Sequence, residues 1–355
     1  MGTNDGAERQ SAECGLVVSV PSTHDPPLMT RDANEIVAVD IGGTHARFTR
    51  ATLTPGEAPR LGEISKFKTE DFASLADAWD AYRTGQDAPL PRAAGIAVAA
   101  PLGNEIVKFT NSPWTLRPAT LAAELGIDRL TLLNDFGAMA NAVAWLDDET
   151  LAPISPPAPW PSEGVTSVIG LGTGLGVAML LRRDGHIHAI ETEGGHADFA
   201  PLDGLEEQIL EQLRRRYRRV STERIASGPG LGNLHFALAT IGGHSIVPME
   251  DGPLWERAIS GEDPVAAEAL DRLVLSFGSI VGDLALAHGS NAVVLTGGLA
   301  NRIADRLRGP AFLDRYAAKG RYVARMKGIP IRLATHPEPG LLGAAAAFQR
   351  EHPLS

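Results

Sequence analysis

The sequence predicts a two-lobed α/β fold, and three observations predict it. The chain has 355 residues, more than one core usually accommodates. Apolar runs of strand length alternate with stretches of helical spacing. A strand–glycine–strand pattern near residue 40 recurs near residue 172, weak internal repetition that suggests one plan used twice. A hydrophobic content of 44% supplies the core, and 38 glycines and 25 prolines are too dispersed for low complexity. The formal net charge of −11 argues against a nucleic acid or an anionic membrane as partner. Cys14 is the only cysteine and cannot form an internal disulfide, which fits a reducing cytoplasm. No apolar run reaches the length of a membrane span, and Gly15–Val20 is too short for a secretory signal.

Residues 1–33 are polar and rich in Pro, Thr and Asn, so a disordered extension is expected there. Order begins at Ile36-Val37-Ala38-Val39, a buried strand ending in Asp40 and two glycines. Thr44–Leu53 resumes a strand pattern, which makes a glycine-turned hairpin. Phe72, Leu75, Ala76, Trp79 and Tyr82 have helical spacing over 71–84. Strands follow at 95–100 and 130–133, the latter ending on Asn134-Asp135, with a helix from Gly137 to Trp145. The Pro-rich stretch 153–161 breaks regular structure and is the best candidate for a boundary. Val165–Gly170, the glycines at 172–176 and Val177–Leu181 repeat the hairpin. Helices are expected at 203–219 and 264–288, a strand over 292–296, and a small-residue helix from Gly340 to Phe348.

Three glycine-rich turns each follow a buried strand: Asp40-Ile41-Gly42-Gly43-Thr44, Gly172-Thr173-Gly174 and Thr296-Gly297-Gly298. Glycines permit positive φ and close backbone approach, and successive N–H groups in such turns hold anions. Each alone reads more readily as an ordinary turn; three together favour a phosphate chain. That resolves how an acidic protein could bind a nucleotide, since backbone N–H groups and Mg²⁺ would carry the charge. None is a Walker A loop. Asp40 reads as a ligand of Mg²⁺ through water or as a cap of its own turn. Asn134-Asp135 ends a strand, where ligands of α/β sheets gather. Asp135 reads as a base that takes a hydroxyl proton or as a helix N-cap. Glu193 and His196 flank two glycines and suit sugar hydroxyls better than a metal, or read as a solvated acid and a loop histidine. The run Arg214–Arg219 behind Glu206, Glu207 and Glu211 reads as a solvated helix end.

Together these segments resemble the bacterial glucokinases of the hexokinase-like group, in the actin-like ATPase superfamily, over residues 36–348. Asp40–Thr44 is similar to the family's first phosphate motif, Gly172–Gly176 to its second, and Thr296–Gly298 to its adenosine motif. Asn134-Asp135, Glu193–Pro201 and Glu223 ahead of Ala226–Gly230 are similar to its sugar-binding elements. The resemblance implies a two-lobed actin-like ATPase (ribonuclease H-like) fold with the active site in the interlobe cleft. It implies a small domain of 34–145 plus 334–355 and a large domain of 146–333. It implies that MgATP phosphorylates the 6-hydroxyl of D-glucose, feeding glycolysis. Asn134, Asp135, Glu193, His196 and Glu223 would hold the sugar, with Asp135 as catalytic base, and a homodimer is implied. Two departures stand out. His45 replaces the family's usual Asn after Gly-Gly-Thr, and the Cys-rich zinc motif of the related repressor and kinase group is absent, so no zinc is expected. A kinase for another hexose, or a sugar-sensing protein without turnover, are the competing readings.

Overall fold

A computed structural model describes residues 34–109, 112, 114–245 and 249–353; the extension expected over 1–33 lies outside them. The chain divides into two units. Unit 1 is 1–135 with 344–355, and unit 2 is 136–343.

Unit 1 opens with β1 (Glu35–Ile41), β2 (His45–Thr52) and β3 (Arg60–Lys68), then α1 (Leu75–Thr84) and β4 (Ala93–Val98). The short strands β5 (Val107–Lys108) and β6 (Thr115–Leu116), α2 (Pro118–Leu125) and β7 (Arg129–Asn134) complete it. Its sheet has the order β3-β2-β1-β4-β7. The first three strands are antiparallel, and β4 and β7 run parallel to β1. Burial of β1 and β4 on both faces explains their unbroken apolar runs. Phe48 on β2 stacks on Tyr82 of α1 at 5.3 Å between centroids, inside a cluster with Val37, Val39, Ile96 and Trp114. The helix expected from residue 71 starts at Leu75, because the Ser74 hydroxyl accepts the N–H of Asp77 and caps it.

Unit 2 contains α3 (Asp135–Val143, whose first residue belongs to unit 1), β8 (Leu151–Pro153), β9 (Gly164–Leu171), β10 (Leu175–Arg183) and β11 (His186–Thr192). Helices α4 (Gly204–Tyr217), α5 (Gly228–Ile241), α6 (Asp251–Ser260) and α7 (Pro264–Ala287) follow, then β12 (Ala292–Thr296). Four shorter helices, α8 (Gly298–Arg302), α9 (Ala304–Leu307), α10 (Pro310–Ala317) and α11 (Val323–Lys327), precede β13 (Ile331–Ala334) and α12 (Pro339–Glu351). The sheet order is β11-β10-β9-β12-β13-β8. Three antiparallel strands again lead into two parallel ones, so the first five strands repeat the plan of unit 1. The repetition suspected from the two hairpins extends to five strands of each sheet, and β8 is the addition in unit 2.

Strand alternation splits the unit 2 core in two. Ile169, Leu171, Val293 and Leu295 face the helices α4 to α7. Val168, Ala178, Leu180 and Val294 face Ala140 and Val143 of α3. This packing places α3 in unit 2, so the chain changes units at Asp135/Phe136 and Gly343/Ala344. The sequence pointed to 145/146 and 333/334. Nor is the Pro-rich stretch a boundary, since Pro153 on β8 pairs with Arg332 on β13 inside unit 2. The small-residue character of α12 is used on both sides of its crossing. A Cβ on Gly343 would lie 1.8 Å from the carbonyl of Ala138, and one on Gly95 of β4 would lie 2.3 Å from that of Ala344.

Candidate active site

In unit 1 the parallel strands bring the predicted residues to one edge. Ile41 pairs with Val98, and Val98 pairs with Asn134, so the C-terminal ends of β1, β4 and β7 lie in one row. Strand spacing puts the β1 and β7 ends about 10 Å apart. β7 ends on Asn134, and α3 starts on Asp135 with no loop between. Asp135 is therefore the first helical residue, exposed at the strand end, where a carboxylate also complements the helix dipole. The residue after it is fixed firmly. In unit 2 the Phe136 ring occupies the space that a Cβ on Gly170 or Gly176 would need, at 2.3 and 1.8 Å.

The Asp40 carboxylate accepts a hydrogen bond from Arg47 Nη1 at 3.1 Å across the β1–β2 hairpin. The turn is closed by Gly42 N–H donating to the carbonyl of His45 at 2.9 Å. Thr69 Oγ1 donates to the Gly43 carbonyl at 3.2 Å. Thr44 Oγ1 lies 3.0 Å from His45 Nδ1. Desolvation, then the charges of Lys66, Arg47 and Lys68, hold the His45 imidazole below its ordinary pKa.

In unit 2 the second and third turns leave neighbouring strands, because Thr296 pairs with Gly170. Gly297 has φ +99°, and a Cβ there would lie 2.4 Å from the Leu171 carbonyl. The other glycines of the three turns avoid positive φ; of these, Gly174 is closely packed, a Cβ there meeting Glu223 Oε2 at 2.6 Å, whereas a Cβ on Gly172 or Gly298 would meet open space. Gly228 N–H, at the start of α5, donates to the Gly172 carbonyl at 2.7 Å, so the positive end of that helix adjoins the turn. The Thr296 hydroxyl points into the core, 3.4 Å from Met139 Sδ, so only its backbone faces the turn; Gly298 is exposed.

Beside these turns stand the residues expected on the sugar side. Glu193 Oε2 lies 3.8 Å from His196 Nε2, and both side chains are exposed. Their loop is stapled to the segment before α5: Thr222 Oγ1 donates to the Gly195 carbonyl at 2.7 Å, and Arg219 holds Asp198 at 2.7 Å and the carbonyl of His196. Glu223 Oε2 accepts the Leu175 N–H at 2.9 Å. None of Arg47, Arg219, Leu175 and Gly228 was singled out for the site; Arg219, expected on a solvated helix end, instead braces the Glu193–Asp198 loop. Only Arg47 left a signal in the sequence, since the hairpin register sets it opposite Asp40.

A lone carboxylate beside a phosphate turn fits Mg²⁺, which keeps several waters and is bound through one or two carboxylates plus substrate phosphates. Among the described residues no group of three or more His, Cys, Asp or Glu could hold a metal by itself.

The family model named Glucokinase matches residues 37–351. The chain is 53% identical to a glucokinase of Zymomonas mobilis, over 90% of this chain and 98% of that one. It is 38% identical to a glucokinase of Xanthomonas euvesicatoria, over 92% and 99%. A crystal structure of a glucokinase from an Antarctic psychrotroph superposes with a TM-score of 0.80 at 30% identity, covering 89% of this chain and 99% of that one.

Proposed function

We propose that this chain, which belongs to the glucokinase family, transfers the γ-phosphoryl group of ATP to the 6-hydroxyl of D-glucose with Asp135 as general base. The observation that carries the base assignment is the position of Asp135: an exposed carboxylate at the C-terminal edge of a parallel sheet, its neighbour Phe136 locked by packing. A carboxylate so held can accept the hydroxyl proton as the oxygen attacks phosphorus. Asn134 can donate and accept toward a vicinal diol. Glu193, His196 and Glu223 supply two acceptors and a ring that orient the remaining hydroxyls. Backbone N–H groups of the turns at 42–44, 172–174 and 297–298 suit the phosphates, and the α5 N-terminus adds positive potential. Mg²⁺, held through water by Asp40, would neutralise charge on the phosphates.

The measurement is turnover by purified, folded Asp135→Ala. Loss of a general base lowers kcat by on the order of 10²-fold or more; near-normal kcat would reject the assignment. A panel of glucose, mannose, fructose and glucosamine in an ADP-release assay fixes the sugar. We further place the enzyme in the cytoplasm, feeding glycolysis, as a homodimer. Among the described residues no helix is long and apolar enough to cross a membrane, and sedimentation at micromolar concentration reads the assembly.

A further inference from the structure

Glu223 is assigned above to a sugar hydroxyl, yet one of its oxygens is already engaged elsewhere. Oε2 accepts the N–H of Leu175 at 2.9 Å, and Leu175 is the residue on which the second glycine turn re-enters the sheet as β10. Gly174, inside that turn, is packed against the same atom: a Cβ there would sit 2.6 Å from Glu223 Oε2. The carboxylate therefore fixes the turn by a hydrogen bond and by contact. Its own position is fixed in turn. Glu223 lies in a single 3-10 turn, Thr222–Arg224. Thr222, next to it, donates its side chain to Gly195 and its N–H to Ala197, on the Glu193–His196 loop. A few residues on, Gly228 N–H bonds the Gly172 carbonyl at the other side of the turn. Glu223 Oε1 makes no hydrogen bond among the described residues and is open to a ligand.

We infer that Glu223 is a positioning residue for the phosphoryl donor as well as a sugar contact: Oε2 holds the Gly172–Gly174 turn in its nucleotide-binding shape while Oε1 is left for the sugar. The inference rests on the reading of Glu223 and of this turn under Proposed function. The chemistry explains why a carboxylate stands here. A single acceptor would serve the turn or the sugar; two oxygens on one rigidly placed carbon serve both. It also explains Gly174, which leaves room for the carboxylate rather than for an unusual backbone angle, since its φ is not positive.

The test reads the donor side without sugar. Binding of Mg-AMPPNP is measured by titration calorimetry for the wild type, Glu223→Ala, Glu223→Gln and Glu193→Gln. Loss of a charged acceptor from a backbone N–H predicts binding weaker by about 10-fold in Glu223→Ala. Glu223→Gln keeps a carbonyl for Leu175 and stays within about 2-fold. Glu193→Gln, whose carboxylate faces His196 instead, stays at the wild-type value. Amide exchange at Leu175 accelerates in Glu223→Ala alone. Should that protein not fold, Glu223→Asp, one methylene short of the N–H, replaces it with the same expectation. Wild-type nucleotide binding in Glu223→Ala overturns the inference, and so does a Glu223→Gln protein as weak as Glu223→Ala. The glucose KM, expected to rise in both Glu→Gln proteins, reports separately on the sugar assignment.

Discussion

The two glycine-turned hairpins look alike in sequence and are held in different ways. The first, β1–β2, is steadied by its own strands and by the end of the adjoining β3: Arg47 reaches Asp40 across the hairpin, Gly42 N–H bonds the His45 carbonyl, and Thr69 gives its N–H and hydroxyl to the carbonyls of Thr44 and Gly43. The second, β9–β10, is steadied from a distance. Glu223, 48 positions on, takes the Leu175 N–H; Gly228 N–H bonds Gly172; and Gly297 lies against Leu171. A turn held by its own hairpin and the strand next to it can be altered with local consequences. A turn held by three separate segments transmits any change to all of them, because those segments also carry the sugar-side loop and the end of β12.

The largest expected effect follows from that difference. Gly297→Ala places a methyl 2.4 Å from the Leu171 carbonyl at φ +99°. Strain at positive φ together with the clash costs about 3 kcal/mol, read as a lower urea midpoint. The same change should impair nucleotide binding, because Leu171 leads into the second turn. A loss under about 1 kcal/mol would mean that β9 and β12 give way easily, and the contrast between the hairpins would collapse.

A smaller effect is expected in the first hairpin. Arg47→Met keeps the aliphatic stem and removes the guanidinium. The pair with Asp40 is part-buried, and after discounting for solvent screening its loss is worth about 1 kcal/mol. Amide exchange should quicken at residues 42–44 and stay unchanged at 172–175. Equal acceleration in both turns would show that the two hairpins are not independently supported.

The same distinction decides what could be read from the sequence. The hairpins, the strand ending on Asn134 and the helix over 264–288 carry their signal locally, in apolar periodicity, glycine punctuation and, for α7, Asp263 and Pro264 at its start. Helix α5 escaped because Gly228-Pro229-Gly230-Leu231-Gly232 reads as a loop. It is helical because Ser227 caps it and the small residues let it approach the Ile225 backbone. The candidate residues Asp40, Asn134 and Asp135 were legible as types at strand ends. The hydrogen bond from Leu175 to Glu223 was not, since no spacing rule joins residues that meet only when two segments pack. Thr296 shows the reverse case: it was legible as part of a ligand turn, but the last residue of a strand buried on both faces turns its side chain into the core.

The smallest effect concerns His45, where this chain departs from its family's usual Asn. The imidazole is held below its ordinary pKa by desolvation and by Lys66, Arg47 and Lys68. Because the folded value is lowered, the folded protein binds this proton less well than the unfolded chain does. The contribution to stability is therefore complete above about pH 6.5, the unfolded value. It is lost progressively as pH falls below that, toward the lower folded pKa. Asn at this position cannot titrate, and its amide can still meet the Thr44 hydroxyl. Calorimetry at pH 7.5 and 5.5 should show the wild-type Tm falling more than that of His45→Asn, by about 1 °C, because the group is solvent-screened. Histidines lowered by burial, such as His288 beside Ser167, shift both proteins alike and cancel in the difference. If His45→Asn loses more on acidification than the wild type, the three cations do not set the charge state of this ring.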